Sequence, residues 1–260
     1  MNRIVHCLYY SFLSTSIFFC SFLNANGLDD LQQALTKLQQ SSDISGTLSF
    51  EVEETRGKSK DEDFKFTQGS IDAHIGYDQN GLTINYPKWV MQQVESEIRL
   101  SADNEDADIP ILKAINALRV REVNAALSQA VLLEQTISNA KFISEENIEF
   151  QGQAARELLL ELPIDSIVRE KRIREYVDNF DSEFKVIINS QGIPLASTLT
   201  YSGKGRAYIV LYVEASGERS ESYQVVDGRL ISVDYFQQSR YDSTFGEGTR
   251  KSHRTFVIRN

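Results

Sequence analysis

Over most of its length this chain alternates apolar and polar residues in short runs broken by glycine-bearing turns, a pattern that commits it to antiparallel sheet. Leu48, Phe50 and Val52 interleave with Ser49, Glu51 and Glu53, so successive side chains leave opposite faces and one face stays wet. Lys58-Ser59-Lys60-Asp61-Glu62-Asp63 reads as a charged hairpin loop, followed by returning strands at 64–66 and 70–77. Asp78-Gln79-Asn80-Gly81 then supplies a turn before a strand at 82–86. In the second half, runs at 147–150 and 155–162 flank Gly152, and Phe184, Val186 and Ile188 alternate up to Asn189-Ser190-Gln191-Gly192. Gly203-Lys204-Gly205, Ser216-Gly217-Glu218 and Asp227-Gly228 separate further strands at the spacing of an up-and-down sheet.

Helical periodicity appears in fewer places. Leu28, Leu31, Leu35 and Leu38 mark a short amphipathic helix, with Asp29 and Asp30 near the positive end of its dipole. After Pro87, Trp89, Val90, Val94 and Ile98 fit a helix, while 95–100 also alternates, so both readings stay open. An acidic stretch at 103–108 precedes the longest helical pattern, for which Asp108 is the expected N-cap and Pro110 a first-turn residue. Its apolar stripe runs from Ile111 and Leu112 through Leu118, Val123 and Leu127 to Ile137, and a drift near 119–122 allows a bend or two helices. The charged segment 164–176 also reads as helical.

Residues 1–25 read as a secretory signal peptide: Arg3 gives a basic start, 4–23 carries no formal charge, and Leu23-Asn24-Ala25 ends in a small residue suited to cleavage. The same run is long enough to span a bilayer, so an uncleaved anchor is the alternative. Both cysteines, Cys7 and Cys20, lie within it, and the ring of Phe19 argues against lipoprotein processing at Cys20. Cleavage would leave a cysteine-free chain without an Asn-x-Ser/Thr site, which points to a bacterial periplasm. A domain of this size buries about 70% of its unfolded surface and is stable without covalent staples.

The charge is uneven. Residues 26–108 hold 17 acidic against 7 basic residues, whereas 239–260 hold 2 against 5, in a chain of formal net charge -10. Such a balance argues against a phosphate-tracking surface, and no nucleic-acid partner is expected. Outside the signal only His74 and His253 remain, too few for a histidine-built metal site, and each reads as a strand residue, His253 on a solvated edge strand. No Gly-x-Ser-x-Gly elbow occurs, and Gly203-Lys204-Gly205 lacks the spacing of a phosphate loop. The stretch 103–108 places Ala107 where a calcium loop needs a ligand and has no glycine. The mixed charges at 165–175 read as a solvated helix face. No cofactor or metal is expected. Carboxylate pairs for glycoside hydrolysis stay open among 37 acidic residues.

The expected fold is α+β: a curved, mostly antiparallel, half-barrel-like sheet packed around a long apolar helix at 109–137, after a cleaved signal peptide. Residues 26–260 form a single exported domain, with β-rich stretches at 26–100 and 140–260 joined by a helical segment at 108–138. This layout resembles the half-barrel of periplasmic lipoprotein carriers and related envelope sensors, in which a sheet cups a hydrophobic cavity. The resemblance is one of architecture and carries over no functional residue; the mid-chain insertion here is longer than that family's short plug. It implies a non-enzymatic periplasmic binding protein for a lipid or lipoprotein acyl chain, touching membrane through that ligand or through an uncleaved signal. An envelope interaction or assembly module is the alternative, and a carboxylate-based hydrolase the second. Tyr86, Trp89, Leu118 and Leu127 are the expected lining of the cavity, although Trp89 also fits ordinary core packing.

Overall fold

The computed structural model of the chain describes residues 26–57, 64–104, 106–168, 171–207, 211–244 and 246–259. The expected signal peptide and the charged loop at 58–63 lie outside these residues.

A short helix, α1 (Gly27–Lys37), opens the described chain; the Asn26 side chain accepts from the Leu28 N–H, and Asp29 and Asp30 occupy the first turn. Strands β1 (Ile44–Arg56), β2 (Lys65–Asp78) and β3 (Gly81–Asn85) follow as an antiparallel meander. The middle of the chain holds α2 (Lys88–Asp103), α3 (Pro110–Ala117), α4 (Val120–Ala126) and α5 (Gln129–Ser138). Next come β4 (Lys141–Phe150), β5 (Gln153–Glu161) and two single-turn helices, α6 (Ile164–Ile167) and α7 (Lys171–Arg174). The chain finishes with β6 (Asn179–Ile188), β7 (Pro194–Ala207), β8 (Leu211–Val226), β9 (Arg229–Ser243) and β10 (Gly246–Ile258).

All ten strands belong to one open antiparallel sheet in the order β3-β2-β1-β10-β9-β8-β7-β6-β5-β4. The strands on either side of the helical segment therefore share a sheet, joined where β1 pairs with β10 from Gly46 opposite Ile258 to Arg56 opposite Gly248. The β8–β9 turn follows from Asp227 and Gly228, whose φ values of 47° and 75° are the left-handed pair that a two-residue hairpin requires.

The long helix expected at 109–137 is instead three short ones. The chain is extended at Leu118 and Arg119 and breaks again at Ser128, so each piece turns its own apolar residues toward the sheet. Asp108 does not cap α3. The buried Glu97 carboxylate, reaching from α2, accepts from the Ile111 and Leu112 N–H groups at 3.3 and 2.7 Å and satisfies donors that a helix start leaves open. Residues 88–103 resolve as helix rather than strand, and the described residues of 164–176 form the two single turns in place of a longer helix.

Two expected hairpin turns are strand interior. Gly203 and Gly205 lie within β7, where a Cβ on Gly205 would fall 1.5 Å from the Tyr176 carbonyl oxygen. That close approach explains the glycine: the segment before β6 is pinned to β7 by Asp178 N–H donating to the Lys204 carbonyl and its Oδ2 accepting from Arg206 N–H. Gly217 lies within β8 directly opposite Tyr201, whose ring occupies the space a Cβ would take.

Helices cover the sheet through two apolar clusters. Leu31 and Leu35 of α1 and Leu133 and Ile137 of α5 pack with Leu158, Leu160, Phe184 and Val186 of β5 and β6. Val90, Ala114, Val123 and Leu127 of the middle helices pack with Phe50, Ile71, Ile75 and Phe256. Buried arginine ties the two regions: Arg229 donates to the carbonyls of Leu127 and Ser42 and to Ser128 Oγ, and stacks 4.0 Å from the Tyr77 ring centre. Among the described residues no helix is long and apolar enough to cross a membrane.

Candidate functional site

The covered face of the sheet changes character across β7 to β10. Cross-strand register places Ser197 beside Glu221, Glu221 beside Tyr235, Tyr235 beside Arg254, and Arg254 beside Phe50. Two residues further along each strand, Leu199, Arg219, Gln237 and Ser252 form a second row on the same face. Directly paired residues share a face, and Phe50 belongs to the apolar core. These polar rows therefore point at the helices, where continuous apolar packing would otherwise lie.

A cavity of about 750 Å³ opens between these rows and the helices α4 and α5. Its walls combine both characters. Leu132, Leu133, Leu162, Ile167, Phe184 and Leu199 give an apolar side. Glu221, Arg219, Tyr223, Tyr235 and Arg254 give a polar pole, and Arg119 and Arg121 add exposed guanidinium groups on the α4 side. The volume lies within the roughly 300–1,000 Å³ of small-molecule sites.

Within the pole the hydrogen bonding is incomplete. Arg254, only 6% exposed, donates through one terminal nitrogen to the Glu122 carbonyl at 3.1 Å and through the other to Ser232 Oγ at 3.3 Å. Its guanidinium lies 4.7 Å from the Tyr235 ring centre, and its Nε–H has no partner. Glu221 is 8% exposed; one carboxylate oxygen lies 3.7 Å from Arg219 Nε, and Oε2 has no partner. Tyr235 stands between Glu221 and Arg254 in the row, so their backbones are two strand spacings apart, about 9–10 Å, while both side chains reach toward Ser232. Tyr223 Oη and Ser197 Oγ share a hydrogen bond of 2.6 Å, and Tyr235 Oη donates to Gln237.

Burial sets the titration of the pole. It pushes the Glu221 carboxyl above its ordinary range, against the opposing pull of Arg219, Arg254 and the Ser232 hydroxyl. It likewise raises the Tyr223, Tyr235 and Tyr201 hydroxyls and lowers the Arg254 guanidinium. Each shift favours the neutral form of its group, as desolvation requires.

The residues expected to line a cavity sit elsewhere. Leu118 and Leu127 are buried in the cluster beneath the middle helices, Tyr86 is half-buried against that cluster, and Trp89 is 55% exposed, which overturns its core reading. None of the four is on the wall of this cavity. His253 is also not on an edge strand: β10 is paired on both sides, and His253 Nε2 lies 3.1 Å from Asp234 Oδ2. His74 is exposed, 3.4 Å from Thr47 Oγ1. Among the described residues no group of three or more His, Cys, Asp or Glu side chains is placed to hold a metal ion.

Sequence reasoning missed Arg219, Glu221, Tyr235 and Arg254. One signal was available: Arg254 shares the parity of Ser252 and Phe256, so it occupies an inward position of its strand. Comparison with known proteins finds no family model that matches this chain and no matching curated relative.

Proposed function

We propose that this chain is a non-enzymatic binding protein of the bacterial periplasm that holds an acyl chain of a lipid or lipoprotein between the sheet and its helices. On this reading residues 1–25 direct export, and the open sheet acts as a half-barrel-like cup closed by α4 and α5. The observation that supports it is the 750 Å³ cavity with Leu132, Leu133, Leu162 and Phe184 along one side. An acyl chain needs such an apolar, concave site, and its transfer from water contributes about 0.8 kcal/mol per buried methylene.

Binding of dodecanoate and of monododecanoylglycerol to the purified full chain, followed by calorimetry, tests the reading. Uptake of at least one is expected, weakened about tenfold or more by Leu132→Asp, which places a charge on the apolar wall. Leu132 is 37% exposed, so this variant is expected to fold. A chain that takes up neither ligand overturns the reading.

A further inference from the structure

Resting on this carrier reading, we infer that the polar row between Glu221 and Arg254 seats the head of a single-chain amphiphile of the fatty-carboxylate class, its tail lying over Leu132, Leu133 and Leu162.

Arg254 is a buried cation whose contacts are a carbonyl, a hydroxyl and an aromatic ring, none of them an anion. A buried charge costs several kcal/mol unless a counter-charge and hydrogen bonds compensate it. The acid in its row, Glu221, stands two strands away with Tyr235 between them, and its nearer cation is Arg219. What the pole lacks is an acceptor of negative charge in reach of Arg254 Nε, the donor left without a partner.

The second unpartnered atom, Glu221 Oε2, fits the same ligand. Carrying its proton, as burial favours, Glu221 donates from Oε2 to a ligand carboxylate while Arg254 Nε donates to the other oxygen. Both unpartnered positions are then used. Where Glu221 is ionised beforehand, binding takes up one proton from solvent. The charged and titratable groups that bear on this balance come from every neighbouring element: Arg219 and Tyr223 on β8, Tyr235 on β9, Arg254 on β10, Tyr201 on β7 and Glu122 on α4. The wider wall agrees in sign. It presents Arg119, Arg121, Arg219, Arg250 and Arg254 against Glu122 and Glu221, in a chain whose formal net charge is -10. A cavity of opposite sign to its protein concentrates anions from solution.

Calorimetry on the unmodified full chain with four ligands of equal tail length separates the possibilities: dodecanoate, dodecyl phosphate, monododecanoylglycerol and dodecyltrimethylammonium. Dodecanoate is expected to bind about tenfold or more tighter than the glycerol ester or the ammonium, the worth of a charge-assisted hydrogen bond. Its affinity is expected to fall as pH rises and Glu221 ionises. Glu221→Gln, which does not titrate, is expected to lose that pH dependence. Arg254→Gln is expected to lose the preference for dodecanoate over the glycerol ester. Equal affinity for dodecanoate and the glycerol ester overturns the inference while leaving the carrier reading in place, and tighter binding of dodecyl phosphate overturns the carboxylate assignment. If none of the four binds, the carrier reading itself falls. The head-group series on the unmodified chain decides the matter even if Arg254→Gln does not fold.

Discussion

Arg229 and Arg254 are both buried guanidinium groups on adjacent strands, and they differ in what their donors find. Arg229 holds two carbonyls, a hydroxyl and the Tyr77 ring, which suits a residue that fastens α4 and the chain before β1 to the sheet. Arg254 keeps one donor aimed at nothing, beside a glutamate with an acceptor in the same condition. A buried polar group left without a partner costs about 1–3 kcal/mol, so the pole is locally destabilising, a cost that a ligand of the proposed class would relieve. The sign of the pH effect follows from Glu221. Its carboxyl is raised above the ordinary 4.5, so the native state prefers the protonated form. There is no penalty below that ordinary value; destabilisation sets in as pH rises through it and grows until the folded value is passed. Glu221→Gln removes the titration. The variant is therefore expected to gain on the unmodified chain in urea unfolding without ligand as pH rises from about 4.5 toward neutrality. A stability difference that stays level over that interval would show that Glu221 does not titrate on folding.

At the level of strands and helices, glycines inside the sheet carry the clearest consequences. Gly205 meets the backbone of Tyr176, which cannot swing away, whereas Gly217 meets the ring of Tyr201, which can. Gly205→Ala is accordingly expected to cost about 3 kcal/mol or more and Gly217→Ala about 1 kcal/mol, read from thermal or urea unfolding. Equal losses would mean that β7 moves freely from the preceding segment. The same two glycines show where sequence reading runs out. Alternation around Leu48, Phe50, Val52 and Phe184, Val186, Ile188 is local and named β1 and β6 correctly, because a period of two depends only on neighbours along the chain. Gly205 looks like a turn residue until the partner that crowds it, some thirty residues earlier in the chain, is in place. The stripe at 109–137 misled for a related reason: helical spacing persists across breaks at Leu118 and Ser128 that are set by packing on the sheet. The polar pole was the least legible part. Polar residues at alternate positions signal a wet face; parity with Phe256 hints at Arg254, but register against β7 is needed to show that Glu221 faces inward as well.

For the whole molecule, the order of strands makes β10 the one link between the front meander and the rest of the sheet. β1 touches the remaining strands through β10 alone, and β10 reaches β9 on its other side. The pairing of Gly46 with Ile258 spans nearly the full described chain, so this contact forms against a large loop-closure entropy and is expected late in folding. β10 also carries Arg254, Ser252 and Phe256, which contribute to the pole and to the core beneath the middle helices. Ending the chain after Ser243 would therefore do more than shorten an edge. It would sever β1, β2 and β3 from β9, expose the inward face of Phe50 and Ile71, and remove one wall of the cavity. The loss is expected to exceed the net stability of about 5–15 kcal/mol that a domain of this kind holds, leaving a chain with strand signal in far-UV dichroism but no cooperative unfolding transition. If the shortened chain still melts in a single sharp transition, the meander and the remaining strands are stable apart, and β10 is an addition to two self-sufficient halves rather than the strand that makes them one.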